Sequence, residues 1–330
     1  MKLCIATDAW HPQINGVVTT LTQTVETLRA WGHSVQTLTP DKFATVPCPT
    51  YPEIRLSLVL KRTIYASLKQ FQPNAVHIAT EGPIGWTTRA ACRKAGIPFT
   101  TSYHTRFPEY VRLRLPVPLR LSYSLIKRFH GAARQTMVAP TLIDELHDKS
   151  FRNLVPWSRG VNIQLFRPRE KKILSGDGPI FLYVGRVAVE KNLPAFLDLD
   201  LPGTKYVIGD GPALAEYRKK YPAVCFTGAK KGEDLARHVA AANVFVFPSL
   251  TDTFGVVLLE AMASGVPVAA FPVTGPKYLV KNGINGWLSN DLQEAATKAL
   301  EVDATTCRKS AEDFSWDACT TQFYNNLIIQ

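Results

Sequence analysis

Two carboxylates separated by seven residues are the side chains whose type and spacing most directly suggest chemistry. They are Asp252 and Glu260, at the two ends of the stretch DTFGVVLLE. Ionised carboxylates accept hydrogen bonds and donate none. If the first lies on a loop and the second about two turns along the following helix, they can hold hydroxyl groups at two points of one extended ligand.

The residues around the two carboxylates predict a strand, a loop and a helix. Residues 244–247 are apolar and partly β-branched, and Pro248 ends the run, which indicates a buried parallel strand. From Gly255 the apolar residues fall at helical spacing until a Gly-Val-Pro sequence precedes the next strand, 268–271. A helix that begins there directs unpaired N–H groups into a crevice, which suits an anionic or hydroxyl-rich ligand. The same pattern also fits an ordinary strand, loop and helix with a surface Asp and Glu.

Length and composition indicate a globular protein with two domains. The chain has 330 residues, of which 46% are hydrophobic and 20% charged, and a single core rarely fills that length. Its six cysteines form no Cys-x-x-Cys pair, so we expect reduced thiols in a cytosolic protein and neither a metal nor another cofactor. No apolar run approaches about 20 residues, so neither a membrane-spanning helix nor a signal peptide is expected.

The excess of positive over negative charge lies in the first half of the chain. Residues 1–165 hold 20 Lys and Arg against 9 Asp and Glu, whereas the remaining residues hold 18 of each. A basic half beside a neutral one suggests that the first domain faces an anionic partner.

The first half begins as a βαβ unit. Residues 2–7 and 34–38 read as strands, and Gly16 opens the helix between them, where a missing Cβ lets a phosphate approach the backbone. No Gly-x-Gly-x-x-Gly motif is present, which counts against a nicotinamide or flavin cofactor. Gly16 also fits an ordinary turn. Further along, the predicted strand 98–103 delivers His104 to the carboxyl edge of the sheet, where such sheets hold ligands, although a lone histidine is more often structural.

Residues 106–134 are unusually basic and also apolar. The segment has seven cationic residues and a single acid, Glu109, and bulky apolar residues lie between the cations. Two prolines rule out one continuous helix. The cations are Arg106, Arg112, Arg114, Arg120, Lys127, Arg128 and Arg134. This mixture fits a segment lying in the headgroup layer of an anionic membrane. Ordinary solvated helix faces fit it as well, and no nucleic-acid-binding motif accompanies it.

The second half repeats the alternation of strands and glycine loops. After a polar linker at 166–178, the strand 180–184 leads into Arg186, and Glu190-Lys191-Asn192 begins the next predicted helix. Arg186 and Lys191 are then close enough to reach one diphosphate. Glycines follow the ends of four predicted strands and are expected at one edge of a sheet, as in a nucleotide cleft. They are Gly185, Gly209, Gly228 and Gly255.

Several motifs occur in order along nearly the whole chain: the Gly16 loop, SYHT at His104, RGVN at Arg159, GRVAVEKN, GDGP and the DTFGVVLLE stretch that holds Asp252 and Glu260. Together they resemble the motifs of the retaining glycosyltransferases of family 4. Their residues are similar to those of bacterial mannosyl- and glucosyltransferases that act on lipids, including glycosyl-diacylglycerol synthases. The resemblance implies an α/β protein with the GT-B fold, in which two Rossmann-like domains with parallel sheets face each other across a cleft.

The resemblance also implies roles for individual residues. Arg186 and Lys191 would bind the diphosphate of a nucleotide sugar, Glu260 its ribose, and Asp252 its sugar hydroxyls, while His104 would lie beside the reacting carbon. Other implied donor contacts come from the loops and the helix start, at Gly16, Gly185, Gly209, Gly228, Thr253, Phe254, Gly255 and Val256. The chain departs from the family in one respect, because Asp252 stands where the family has Glu.

The expected domains are 1–166 on the acceptor side, 167–312 for the nucleotide sugar, and a helix at 313–330 that returns to the first domain. The expected function is retaining transfer of a hexose from UDP-glucose, UDP-galactose or GDP-mannose to a lipid such as diacylglycerol, at the inner face of the cell membrane. The alternatives are a soluble sugar or phosphosugar acceptor, a sugar-nucleotide epimerase, and a nucleotide-sugar-binding protein without catalysis.

Overall fold

The computed structural model describes residues 1–13, 16–48, 51–104, 106–112, 117–250, 252 and 254–330, with only the backbone at 48, 51–54, 110 and 111. The chain forms two compact units. Unit 1 comprises Met1–Arg159 and Trp316–Gln330, and unit 2 comprises Gly160–Ser315.

Unit 1 contains eight strands and seven helices within its described residues. The strands are β1 (Lys2–Ala6), β2 (Ser34–Leu38), β3 (Thr45–Cys48), β4 (Tyr51–Ser57), β5 (Ala75–Ile78), β6 (Thr100–Tyr103), β7 (Gln135–Val138) and β8 (Leu154–Pro156). The helices are α1 (Gly16–Ala30), α2 (Lys61–Phe71), α3 (Pro83–Ala95), α4 (Phe107–Arg112), α5 (Leu119–His130), α6 (Ile143–Asp148) and, from the end of the chain, α14 (Trp316–Asn325). Six strands form a parallel sheet in the order β2-β1-β5-β6-β7-β8, and β3 and β4 form a separate hairpin.

Alternating side chains of β1 show why helices cover both faces of this sheet. Leu3 and Ile5 pack with residues of α1 and with Phe323 of α14, whereas Cys4 and Ala6 pack with residues of α2 and α3. Successive residues of a strand point to opposite faces, so an entirely apolar strand needs a helical layer on each side. This is the doubly wound arrangement that the sequence predicted.

The last helix is part of the unit 1 core. The Trp157 indole N–H donates to the Cys319 carbonyl at 3.2 Å, and the Ser158 N–H donates to the Gln322 side chain at 3.0 Å. Phe323 is fully buried. The chain therefore ends in the unit in which it began.

Unit 2 contains six strands and seven helices within its described residues. The strands are β9 (Ile180–Val184), β10 (Thr204–Ile208), β11 (Cys225–Gly228), β12 (Val244–Phe247), β13 (Val268–Ala270) and β14 (Gly286–Leu288). The helices are α7 (Pro194–Leu197), α8 (Leu214–Lys220), α9 (Gly232–Ala241), α10 (Val256–Ala263), α11 (Thr274–Leu279), α12 (Leu292–Ala299) and α13 (Ala304–Glu312). All six strands are parallel, in the order β11-β10-β9-β12-β13-β14.

The first crossing between the units lies at Arg159 and Gly160, earlier than the boundary expected at residue 166. The intervening residues hydrogen-bond within unit 2. The Arg308 guanidinium donates to the carbonyls of Ile163 and Phe166, at 3.0 and 2.7 Å. Polar, Pro- and Gly-rich composition suggested a linker farther along, but it does not reveal these backbone contacts.

Gly209 provides a test of the unit 2 fold. Its φ is +156°, and a Cβ there would lie 1.8 Å from the Gly185 carbonyl oxygen, so Gly209→Ala should lower the free energy of unfolding by about 3 kcal/mol. Gly16→Ala is the control, because no atom of the described residues lies within 4 Å of its added Cβ. Denaturant unfolding of both variants measures the difference. Equal stabilities would contradict this account of the sheet edge.

Candidate active site

The sheet of unit 2 reverses its strand order next to β9. The chain passes from β9 to β10 and β11 on one side, and β12 then pairs with the other side of β9. The loops that leave the carboxyl ends of β9 and β12 therefore diverge. In open α/β sheets such a switch point opens a crevice, and ligands bind there.

An ion pair joins the two diverging loops. The Lys191 ammonium lies 2.7 Å from one oxygen of the Asp252 carboxylate and 2.9 Å from the other. Both side chains are 25% exposed, so the pair is partly shielded from water. A second link lies beside it, where the Asn192 amide donates to the Pro248 carbonyl at 3.0 Å. Two residues expected at one ligand are thus in direct contact.

Local backbone geometry explains how Lys191 reaches this position. The sequence predicted a helix from residue 190, but the structure has a 3₁₀ turn, Val189–Lys191, and Asn192 has a left-handed conformation with φ of 52°. The helix α7 begins only at Pro194, because proline fits the first turn of a helix, where its missing N–H has no partner to lose. The expected helix start is therefore wrong by four residues.

Arg186 lies in the same loop but has a different environment. Its guanidinium is 3.6 Å from Glu190, and both side chains are more than half exposed. An exposed pair of this kind contributes little to stability. The Tyr183 hydroxyl donates to the Arg186 carbonyl at 3.0 Å, which fixes the backbone while the side chain remains open to solvent.

The predicted glycines do lie along one edge of the sheet. The Gly185 N–H donates to the carbonyl of Ile208, and the Gly209 N–H donates to that of Gly228, both at 3.0 Å. The Gly185 backbone approaches Gly209 so closely that only glycine, which lacks a Cβ, fits at that position. These contacts tie together the backbone at the carboxyl ends of β9, β10 and β11.

The loop after β12 leads into α10 through Gly255, whose φ is +84°. Phe254 is buried, and its ring packs against Tyr278 at 6.0 Å. Val256 is only half-buried, whereas five of the seven later residues of the helix are buried. The predicted contact Thr253 lies outside the described residues.

Glu260 of α10 is half-buried and has no hydrogen-bond partner for its carboxylate among the residues described. Removal from water penalises the charged form and raises the pKa of Glu260 to about 7. Asp252 and Glu260 therefore differ, because the first is paired with a cation and the second is not. Hydroxyl donors from a ligand would supply the hydrogen bonds that the Glu260 carboxylate lacks.

In unit 1, His104 lies directly after β6, as expected. Its imidazole packs edge-on against Trp157, and its Nδ1 is 3.1 Å from the Arg159 guanidinium. Burial, followed by the Arg159 charge, lowers the pKa of His104 well below its ordinary value, so the ring is neutral. Nε2 is buried without a partner among the described atoms.

Sequence reasoning missed Asp8. Its carboxylate accepts hydrogen bonds from the N–H groups of Ile84 and Gly85, at 2.8 and 3.2 Å, and from the Thr80 hydroxyl at 3.0 Å. It therefore caps the N-terminus of α3 from the loop after β1. The Gly-Pro at the start of α3 marks the helix, but no local pattern shows that the cap comes from 76 residues away.

Within its described residues the basic segment forms two helices, α4 and α5, and Pro118 directly precedes α5, as predicted. The other proline, Pro116, lies outside the described residues. Leu121 and Leu125 are 62% and 50% exposed on α5, with Arg120 and Arg128 exposed beside them. Arg112 is exposed and Lys127 half-buried, while Arg114 lies outside the described residues. The outer face of α5 therefore combines apolar and cationic side chains.

Comparisons with known proteins identify the family. Residues 14–165 match the family model Glycosyltransferase Family 4, and residues 178–302 match the model Glycosyl transferases group 1. A GDP-mannose-dependent alpha-mannosyltransferase of Mycolicibacterium smegmatis is 30% identical over 338 residues, which cover 93% of this chain and 86% of that protein. The chain belongs to glycosyltransferase family 4. It is a hexosyltransferase.

Other relatives of this glycosyltransferase include glycolipid synthases. It is 31% identical to a sulfoquinovosyl transferase of Arabidopsis thaliana over 84% of this chain and 61% of that protein. It is 25% identical to the alpha-monoglucosyldiacylglycerol synthase of Acholeplasma laidlawii over 92% of this chain and 88% of that one.

A solved structure confirms the fold. The Anabaena protein HepE, in complex with UDP, matches with a TM-score of 0.73 at 15% identity, covering 98% of this chain and 99% of that one. The glycosyltransferase thus has the GT-B fold with two Rossmann-like domains, as the sequence predicted. Among its described helices, none has the length and apolarity needed to cross a membrane.

The described residues of the glycosyltransferase contain no group of three or more His, Cys, Asp and Glu side chains that could hold a metal ion. Catalysis without a metal remains a prediction.

The raised pKa of Glu260 makes stability depend on pH. Between about pH 4.5 and 7 the folded state holds a proton that the unfolded chain releases, so this contribution falls as the pH rises and is fully lost above 7. Wild type should therefore lose about 3 kcal/mol of unfolding free energy relative to Glu260→Gln across that range. Denaturant titrations of both proteins at several pH values measure it. A constant difference would show that Glu260 is not desolvated.

Proposed function

We propose that this glycosyltransferase transfers a hexose, with retention of the anomeric configuration, from UDP-glucose, UDP-galactose or GDP-mannose to a membrane lipid such as diacylglycerol or glycosyl-diacylglycerol. The observation that carries the proposal is the Lys191–Asp252 pair across the switch point of unit 2. It brings a cation suited to a diphosphate and a carboxylate suited to sugar hydroxyls to one position in the crevice.

The Lys191–Asp252 pair can bind both the diphosphate and the sugar of the donor if its two members separate and each binds one of these groups. Lys191 can turn from Asp252 to the diphosphate, and the released carboxylate can accept hydrogen bonds from the sugar. Arg186, which is largely exposed, has no strong partner to leave before it binds the same diphosphate. The Glu260 carboxylate, without a protein donor, accepts the ribose hydroxyls. Backbone N–H groups at Phe254 and Gly255 complete the donor contacts within unit 2.

The chemistry requires stabilisation of a departing diphosphate while positive charge develops on the sugar carbon. Arg186 and Lys191 supply that stabilisation electrostatically, so the reaction needs no metal. His104 contacts the sugar or the acceptor near the reacting carbon. The acceptor oxygen attacks from the side of the leaving phosphate, and a phosphate oxygen takes its proton, which gives retention.

The outer face of α5 supports a lipid acceptor. Two exposed leucines one turn apart, beside Arg120 and Arg128, can enter the headgroup layer of an anionic membrane while the guanidinium groups contact phosphates. Two of the relatives are named as monoglucosyldiacylglycerol synthases, which agrees with this choice of acceptor. The protein would then act as a peripheral protein at the inner face of the cell membrane.

Replacing either cation tests the donor site. Arg186→Ala and Lys191→Ala should each reduce kcat/KM about 100-fold, or about 3 kcal/mol, because each removes charge stabilisation of the leaving diphosphate. Lys298→Ala is the matched control, since Lys298 also pairs with an acid in unit 2 but lies on α12. Transfer is measured with all three donors and with vesicles that contain or lack diacylglycerol. Parental rates in both variants would refute the site, and transfer only to soluble sugars would refute the lipid acceptor.

A second test concerns the membrane. Leu121→Ser with Leu125→Ser, and separately Arg120→Gln with Arg128→Gln, should each weaken binding to anionic vesicles about tenfold or more. The control is Leu60→Ser, because Leu60 is 56% exposed but precedes α2. Vesicle flotation with anionic and zwitterionic lipids measures binding. Binding that depends on neither the lipid charge nor these residues would remove the membrane surface from the proposal.

A further inference from the structure

We propose that Arg159 is a positioning residue that holds His104 as a neutral imidazole with its proton on Nε2, so that His104 donates a hydrogen bond to a ligand oxygen and does not act as a base. The inference deepens the proposed function, since it rests on His104 contacting the sugar or the acceptor. The contacts of the two side chains carry it.

Arg159 is a buried cation without an acid. It is 9% exposed, and its Nη1 donates to the carbonyls of Trp157 and Ser158, each at 3.2 Å. Its guanidinium carbon lies 5.4 Å above the Trp157 ring. No carboxylate pairs with it among the residues that the structure describes. A buried charge is costly unless its donors are satisfied, so this arrangement calls for an explanation beyond packing.

The remaining contact of Arg159 fixes the tautomer of His104. Its Nη2 lies 3.1 Å from the imidazole Nδ1. A guanidinium has five N–H donors and no acceptor, so Nδ1 must accept and cannot carry a hydrogen. A neutral imidazole then has its hydrogen on Nε2. This assignment follows from the chemistry of arginine and does not depend on seeing the hydrogen.

The other side of the ring lacks a partner. Nε2 is buried and has no hydrogen-bond partner among the described atoms, although the His104 residue is only half-buried. An N–H in that position is satisfied by an oxygen lone pair, such as that of a sugar hydroxyl or an acceptor group. It cannot take a proton from an attacking hydroxyl, because Nε2 already carries one and Nδ1 is occupied by Arg159. Deprotonation must therefore fall to another group, which agrees with a phosphate oxygen.

The groups around His104 favour the neutral ring. Burial disfavours protonation of the His104 ring most strongly, and the Arg159 charge comes second. Two further histidines, His77 and His130, act in the same direction. Glu81 is hydrogen-bonded to His130 at 3.0 Å, and among the described residues no carboxylate pairs with His104. Removing the Arg159 charge should therefore move the His104 pKa upward.

Nitrogen NMR of the full chain, with ¹⁵N-labelled histidine, reads the tautomer directly. The protein has seven histidines, and the signals of His104 are those missing from His104→Gln. Wild type should show a neutral ring with the proton on Nε2 between about pH 6 and pH 8. Arg159→Met should give mixed tautomers and protonation at higher pH, and Arg159→Lys should restore the wild-type spectrum in part.

Arg89→Met is the matched control. Arg89 is also buried in unit 1 and also donates to backbone carbonyls, those of Phe129 and Arg128, but has no contact with His104. A purely structural effect would appear equally in both methionine variants. A change of tautomer should appear only in Arg159→Met. A wild-type proton on Nδ1, or an imidazolium at neutral pH, would overturn the proposal even if no Arg159 variant folds.

Kinetics separate a donor from a base. The glutamine amide can place an N–H near the position of Nε2, so His104→Gln should retain about a tenth of kcat, whereas His104→Ala should lose about 100-fold. Equal losses in both would overturn the donor role. If wild type transfers hexose from none of the three donors, the proposed function fails, and the NMR result still decides the tautomer.

Discussion

The Lys191–Asp252 ion pair is the contact on which the candidate site depends. It forms because the strand order of unit 2 reverses between β9 and β12, which sends two loops apart at one edge of the sheet. A left-handed residue after the 3₁₀ turn brings the lysine inward, and the Asn192 amide ties the loop to the Pro248 carbonyl. Without these features the cation and the acid, which lie on separate loops, would not come into contact. An incoming diphosphate can also take the place of the Asp252 carboxylate at Lys191, because the lysine then exchanges one anionic partner for another.

The surplus of positive charge in unit 1 is used in different ways, and only part of it faces solvent. Arg89 is buried and binds the carbonyls at the end of α5, which favours a cation by the helix dipole. Arg159 is buried against Trp157 and contacts His104. The arginines of α5 face outward beside two leucines. Net charge alone indicated an anionic partner, but burial decides which arginines could reach one.

Sequence reasoning predicted the parts of the fold that local patterns encode. The strands at 34–38, 180–184 and 244–247 have the expected bounds. The last two are short apolar runs that a glycine or a proline follows directly. The glycines at the sheet edge and the break between α4 and α5 followed from the same chemistry. The partners of His104 and Asp8 did not, because they lie 55 and 72 to 77 residues away along the chain. No spacing rule encodes such contacts.

Asp252 and Glu260 show how two similar carboxylates acquire different properties from their surroundings. Asp252 meets a lysine with both oxygens, and its negative charge is balanced. Glu260 has no such partner, and its pKa rises to about 7. The resemblance in the sequence implies a Glu, whose side chain is one methylene longer, where this chain has Asp252. The shorter side chain holds its carboxylate nearer the loop backbone, where Lys191 reaches it in full contact. A longer acid would extend farther into the crevice, so the substitution should shift which sugar hydroxyls the group can accept from while keeping its pairing with the cation.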